Sequence, residues 1–502
     1  MAVVLAVLAV TAACGGNDDD APAAEPATAP ADDAPVPAEP PATDAPAGDA
    51  DVETTDAVDT DGSVDTDRSA DTDRPADNDR PGVIEVPVDH ETIQAAVDAA
   101  APGDLILVAP GVYHEAVNVT TDEITIRGLD RNEVILDGEF ELDNGIRVLG
   151  ANGVAIENMT AMNYTRNGFF WTGVEGYRGS YLTAYRTGDY GVYAFDSVKG
   201  QLEHSYAAGS PDAGFYIGQC YPCDAVMDNV IAEHNGLGYS GTNAGGNLLI
   251  VNSTFRFNRA GIVPNSGSYE LCYPERETTM VGNLVYSNNQ PDTPAISVAI
   301  LAMGNGILIP GGVRNTIERN LVWDHDRTGV GLVPFLEEGP NDDIPPASEW
   351  DRPCAEQKLD PIPTEVPDSL LWDPYENRVI GNVVSDSREA DLAVASVGDV
   401  SGFANCFSGN TFATTAPTSL ETLAPCDETG DADGDWAAGD LEVIRWLGEV
   451  ESRPPAVDYR EAPLPERPEM PNMPDAGTAP ARPATDVPFA VDLAAIEVPE
   501  RP

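Results

Sequence analysis

Glycine recurs at a step of 23 through the middle of the chain: Gly145, Gly168, Gly191 and Gly214 are evenly spaced, and Gly238, Gly261, Gly306 and Gly329 continue the series. Self-similarity at a fixed period of roughly 20 to 50 residues marks a stack of like units. After each glycine comes a short run of alternating apolar and polar residues, as in GIRVLG from Gly145, GVYAFDS from Gly191, GFYIGQC from Gly214 and GIVPNS from Gly261. That alternation is the period of a half-buried strand. Further on, a second strand-like run closes on Asn158, Asn229, Asn252, Asn283, Asn320, Asn382 or Asn410, and His204 holds that place before Gly214. Strands this short cannot bury a face alone, whereas successive coils stacked into parallel sheets can. The expected fold is therefore all-β, a parallel β-helix solenoid over residues 83–426, with the asparagines stacked as a ladder in its turns.

The segment HETIQAAVDAAAPGD places Ile93, Ala96, Val97 and Ala100 on one helical face and ends it at Pro102-Gly103, a lid for the first coil. The run TIQAAVDAAAPGDLILVAPGVYHEAVNV resembles the N-terminal cap and first coil of the pectin-lyase-like, right-handed parallel β-helix superfamily, and the later repeats resemble its generic β-helix repeats. The resemblance covers roughly Val83 to Cys426 and speaks to fold rather than activity. It implies right-handed winding. Members include polysaccharide lyases, glycoside hydrolases, uronate epimerases, pectin esterases and a periplasmic protein of copper-enzyme maturation. Gly111-Val112-Tyr113-His114-Glu115 is similar to the start of pectin methylesterases, but their paired-aspartate motifs have no counterpart here, which sets the esterase aside. Uronate lyases and epimerases of the superfamily remove the proton beside a carboxylate with Arg, Lys, Tyr or His, often with Ca²⁺. Arg178, Arg186 and Arg276 are the arginines that this implies, and Ca²⁺ is the one cofactor, although no compact Asp cluster marks a site for it. No other metal is expected.

The chain begins MAVVLAVLAVTAACGG, an apolar run too short to span a bilayer and shaped like a signal peptide over residues 1–14. Ala12-Ala13-Cys14 resembles a bacterial lipobox, with Cys14 the lipid attachment point, although Thr11 replaces the usual Leu and no Lys or Arg precedes the run. Residues 15–82 are an acidic Pro/Ala/Asp/Thr linker with almost no large apolar side chain, expected to be disordered. A Pro/Asp-rich tail, residues 427–502, follows the coils, with one short amphipathic stretch at residues 440–450; it is left open whether the tail caps the last coil or lies along a groove. Together these features describe an exported, membrane-anchored monomer facing outside the cytoplasm. The formal net charge of -59, with Lys199 and Lys358 the only lysines, excludes nucleic acid as a partner.

Besides Cys14 there are six cysteines, and an even number in an exported chain points to disulfides. The pairing set down is Cys220 with Cys223, Cys272 with Cys354 and Cys406 with Cys426, one among about fifteen possibilities. Cys220-Tyr221-Pro222-Cys223 also has redox or half-zinc spacing, which nothing nearby completes.

Counting along each strand from its glycine, Phe169, Val192, Phe215, Ile262, Ile307 and Val330 should point inward, and the next residue outward. Phe170, Tyr193 and Tyr216 then stack on the outer face, covered either by a sugar chain or by a lid from the segments around Cys272 and Cys354. Thr172, Phe195, Thr242 and Asn265 share the strand, and Asp196, Gln219, Asn243 and Ser266 close it. The expected substrate-binding set is Phe170, Tyr193, Tyr216, Gln219, Asn243 and Asn265. For acid and base work the candidates are Asp196, His234, Asp324 and His325, the histidines each standing five residues after Asn229 or Asn320. A long polar excursion from Gly339 is expected to wall the site. The partner expected is a polysaccharide or cell-wall glycan, met by a lyase, epimerase or hydrolase or by a non-catalytic adhesive solenoid. A metal-linked role has the least support, since five His and eight Met are scattered.

Overall fold

A computed structural model describes residues 82–397, 400–427, 434–436, 441, 445–446, 449, 452–484 and 490–502. The expected signal peptide, Cys14 and the linker fall outside the described residues, apart from Gly82 at the linker's end. Among the described residues no helix is long and apolar enough to cross a membrane.

The chain winds through three parallel sheets in turn, here called A, B and C, of twelve, ten and eleven strands. One coil runs Val154–Glu157 in sheet A, Thr160–Met162 in sheet B and Phe169–Thr172 in sheet C. The next repeats it with Glu175–Ser180, Thr183–Tyr185 and Tyr190–Phe195. Coil-to-coil register follows the sequence step: Phe169 pairs with Val192, and Val192 with Phe215. These residues, with Ile262, Ile307 and Val330, are fully buried in the core, as the alternation from each glycine requires.

The repeating glycine is a packing requirement. A Cβ on Gly191 would lie 2.6 Å from the Gly214 carbonyl oxygen, and one on Gly261 would lie 2.4 Å from that of Gly306. Neighbouring coils touch backbone to backbone there, and only glycine fits. The helix α1 (Ile93–Ala99) begins at Thr92, whose hydroxyl accepts from Ala95 N, and buries Ile93, Ala96 and Val97 over the first coil. Gln94 completes the lid by bonding both the N–H and the carbonyl of Asn118, on the edge strand of sheet C.

The asparagines resolve into more than one ladder. Asn283, Asn320, Asn382 and Asn410 stack with each amide donating to the next side-chain oxygen at 2.9–3.0 Å. Asn229 and Asn252 stand one residue earlier in the turn, at positive φ, and the ladder position beside Asn252 is Ser253, whose N–H donates to Asn283 Oδ1. A second ladder, unseen in the repeat, runs Asn235, Asn258, Asn288 at the turn into sheet C. A third joins Asn377 to Asn405.

The tail first meets the later coils of sheet C, where Leu441 and Trp446 pack in one cluster with Val263, Leu308 and Ala393. It crosses the outer faces of sheets A and B, held by arginines that project from the coils and donate to its backbone carbonyls. Arg259 holds Pro454 and Pro455 at 2.8 Å, Arg186 holds Tyr459 and Ala462 at 2.9 Å, and Arg127 holds Ala479 at 2.6 Å and Pro480 at 2.9 Å. Arg127, Arg131 and Arg259 are fully buried in consequence. Arg178 and Arg186, two of the three arginines implied for proton abstraction, are engaged with the tail in this way, and Arg276 is buried, donating to the carbonyls of Cys272 and Pro274. Three disulfides close Cys220–Cys223, Cys272–Cys354 and Cys406–Cys426, the pairs set down from the sequence.

Candidate functional site

Sheet C presents a column of outward side chains whose register is read directly from strand pairing: Asn118, Arg147, Phe170, Tyr193, Tyr216 and Ser240 succeed one another coil by coil. The rings touch. Phe170 and Tyr193 stack with centroids 4.8 Å apart, Tyr193 meets Tyr216 at 4.9 Å, and Tyr190 lies flat on Tyr193 at 4.3 Å and 4°. Phe195 adds a further stacked ring 5.9 Å from Tyr193. Offset stacks of this kind contribute on the order of 1 kcal/mol per pair beyond the area they bury, so the cluster is a preformed aromatic floor.

The floor is open at one end and roofed at the other. Asn118, Arg147, Phe170, Tyr193 and Phe195 are partly exposed, while Tyr216 is 1% exposed and the outward residues of the next coils, Ser240, Thr242, Val263 and Asn265, are buried. The roof is the loop of residues 266–275. Its Glu270 accepts from the Tyr216 hydroxyl at 2.6 and 2.7 Å, and Asn265 Nδ2 donates to the Tyr269 hydroxyl at 2.6 Å. The polar excursion stands behind it: Glu337 accepts from Ser268 N and Oγ and from Trp372 Nε1, Cys354 closes the disulfide to Cys272, and Lys358 reaches across to Asp196. Further along, the short helix α2 (Ser297–Ala302) packs on Ala213, Leu237 and Ala260 beside Leu308 and Val333.

Carboxyl groups gather where the roof begins. Burial pushes Glu270 up to about 8, against the Tyr216 bond that pulls it down, with the charges of Asp212 and Asp196 adding to the rise. Burial likewise pushes Asp212 up to about 7, opposed by its bond with the Tyr190 hydroxyl and reinforced by Asp189. Asp189 is raised by burial and tempered by Arg166, 3.1 Å away. A carboxyl poised near neutrality beside a ring stack is a group able to take or give a proton under ordinary conditions. No group of three or more His, Cys, Asp or Glu side chains able to hold a metal ion occurs among the described residues.

The coils match the family model described as the right handed beta helix region over residues 144–333. The chain is a right-handed parallel β-helix. Solved β-helices that it is similar to include the A-module of mannuronan C-5 epimerase AlgE4 of Azotobacter vinelandii, at 14% identity over 64% of this chain and 91% of that one, TM-score 0.40. An alginate lyase of Paenibacillus sp. str. FPU-7 shares 15% identity over 66% and 95%, TM-score 0.36. PfbA, a surface adhesin of Streptococcus pneumoniae, shares 11% over 64% and 86%, TM-score 0.33. Likeness at this level carries no conclusion about activity. No curated protein matches the chain.

On this β-helix the residues singled out from sequence separate. Phe170 and Tyr193 meet in the open floor, and Asp196, paired with Lys358, follows the end of the strand that carries Tyr193. Tyr216, expected to face a ligand, lies under the roof instead. Gln219, Asn243 and Asn265 are buried framework: Gln219 Oε1 accepts from Leu271 N, and Asn243 Nδ2 donates to the carbonyls of Gly267 and Glu270, so their amides anchor the roof. His325 extends the Asn235–Asn258–Asn288 ladder inside the coil, its Nε2 3.3 Å from Asn288 Nδ2, and burial pushes it down to about 3. A histidine held neutral in the core cannot serve the outer face.

His234 and His325 are not equivalent after all. His234 has positive φ and stacks on Phe257 beside the tail-covered sheet B, and burial lowers its pKa. The place matching it is Asp324, also at positive φ, which accepts from Ser287 Oγ at 2.6 Å. The offset arises because Asn229 and Asn320 occupy neighbouring turn positions, so counting five from each lands one residue apart. Tyr190, Asp189, Asp212 and Glu270 were missed. Asp189 and Asp212 carried a signal, since each lies two residues before a repeat glycine and they stand 23 apart. Glu270 carried none, because it sits in a loop outside the period.

Proposed function

We propose that this protein is an exported β-helix that binds a polysaccharide over the open end of sheet C, with Phe170 and Tyr193 as the stacking platform. The observation that carries the proposal is the partly exposed, preordered ring stack at the open end of sheet C. Flat apolar rings in water are costly unless something covers them, and the C–H faces of pyranose rings fit such a floor. Arg147, in register above Phe170 and hydrogen-bonded to Asn118 Oδ1 at 2.9 Å, adds a cation at the open end of a strongly acidic chain. Three disulfides support an oxidising compartment outside the cytoplasm. Lipidation of Cys14 would tether the solenoid to the membrane through the acidic linker, and one chain would act alone as a monomer.

Catalysis on the bound glycan, as lyase, epimerase or hydrolase, is favoured by one further observation: Asp212, near neutrality, bonds Tyr190, which lies flat on Tyr193. The competing reading is a non-catalytic adhesive surface. A panel of acidic and neutral polysaccharides, assayed for binding and for unsaturated-uronate absorbance and new reducing ends, separates them. Binding weakened about tenfold or more in Phe170→Ala and in Tyr193→Ala supports the platform. Turnover abolished in Asp212→Asn with binding kept identifies an enzyme, and binding without any turnover leaves the adhesive reading. No binding to any glycan refutes both.

A further inference from the structure

We propose that the sheet C groove receives the end of a glycan chain rather than its interior. The inference rests on the binding mode just proposed and adds its geometry. The aromatic column does not stop at Tyr193: it continues in register to Tyr216 before passing to Ser240, yet accessibility changes abruptly between the two rings. Four strands, from Val117–Val119 to Tyr190–Phe195, carry partly exposed outward residues. At strand spacing of about 4.8 Å they form a platform roughly 14 Å long, enough for a few pyranose rings. Immediately beyond, Glu270 sits on Tyr216 and the ion pair of Lys358 with Asp196 closes the strand end.

The obstruction is built as framework. Both amide groups of Asn243 and Gln219 hold the loop backbone, Glu337 fixes Ser268 at 2.9 Å, and Cys272 is covalently joined to the excursion at Cys354. The excursion is itself tied to the coils, since Cys354 N donates to the Tyr221 carbonyl at 2.9 Å. A sugar chain lying along the platform therefore meets a fixed wall at Tyr193. An internal segment would have to continue through the space filled by Glu270 and Lys358, whereas a terminal unit can abut them, with its last hydroxyls facing Asp196, Lys358 and Asp212.

The test uses the intact protein and two length series, polygalacturonate with its oligomers and soluble cello-oligosaccharides, read by calorimetry. For whichever series binds, affinity per chain should stay within about twofold from the shortest saturating oligomer to the longest polymer. Stoichiometry should remain one protein per chain. Chemical capping of one terminus, by borohydride reduction at the reducing end or periodate-limited modification at the other, should weaken binding at least tenfold for one of the two. Proteins bound per chain rising in proportion to length would overturn end recognition while leaving glycan binding intact. Absence of binding in both series at every length would overturn end recognition together with the glycan reading beneath it.

Discussion

Sheets A and B carry outward arginines and aromatics under the chain's own tail, whereas the open end of sheet C carries Phe170 and Tyr193 toward solvent. Arg127 is buried, donating to Glu157 Oε2 at 2.7 Å and to the carbonyls of Ala479 and Pro480. Phe170 stacks on Tyr193, and Tyr193 also meets Tyr190, Phe195 and Tyr216, yet both rings stay partly exposed. A guanidinium is satisfied by backbone oxygens of any extended segment, so the arginine faces have found their ligand within the molecule. Outward rings of sheet B are covered as well, Tyr185 and Tyr206 by Leu464 and Met470, and the stacked Tyr286 and Trp323 by Val498. The same solenoid thus presents one occupied surface and one open one, and the course of the tail tells them apart.

Breaking the occupied side should have the largest effect. Arg127→Ala removes a buried partner of Glu157 and three tail contacts, and loss of one member of a buried ion pair typically costs about 3 to 5 kcal/mol. Denaturant unfolding should shift by that order, and limited proteolysis should cut residues 452–484 earlier, while glycan binding by the folded fraction is unchanged. If stability holds, the tail contacts are incidental.

The roof is tested by pH. Glu270 binds its proton more tightly folded than unfolded, so its contribution is complete below about 4.5 and is lost as pH climbs toward about 8. Melting temperature should fall across that window and flatten in Glu270→Gln, by up to a few kcal/mol in this buried setting. An unchanged slope would remove Glu270 from the titration.

On the open side, Tyr193→Ala should weaken glycan binding about tenfold or more, the scale of a lost stacking contact, with only a modest decrease in stability because the ring is partly exposed. Equal losses of binding and stability would make it a core residue. The smallest effect belongs to His234→Ala, beside the tail-covered cluster: within about 0.5 kcal/mol in stability and none on binding. A loss of turnover there would restore the histidine to the site.

The repeat made the coils readable, and it made the first column of the site readable as well. Phe170, Tyr193 and Tyr216 stand a coil apart because one strand position recurs every 23 residues, and the pairing register follows that count. Periodicity also misled where two neighbouring turn positions both favour asparagine. Asn229 and Asn320 looked equivalent, and His325, which belongs in the inner ladder, was counted with His234.

What the sequence by itself determined was the winding: apolar alternation selected the inward face, and glycine marked where adjacent coils come too close for a Cβ. What only the tertiary structure decided was coverage. Which outward residues remain available depends on where aperiodic segments land, the loop carrying Glu270 on Tyr216 and the tail on the arginines. Those segments are placed by long-range hydrogen bonds and a disulfide between residues far apart in the chain, and no local pattern in the amino-acid order encodes such meetings.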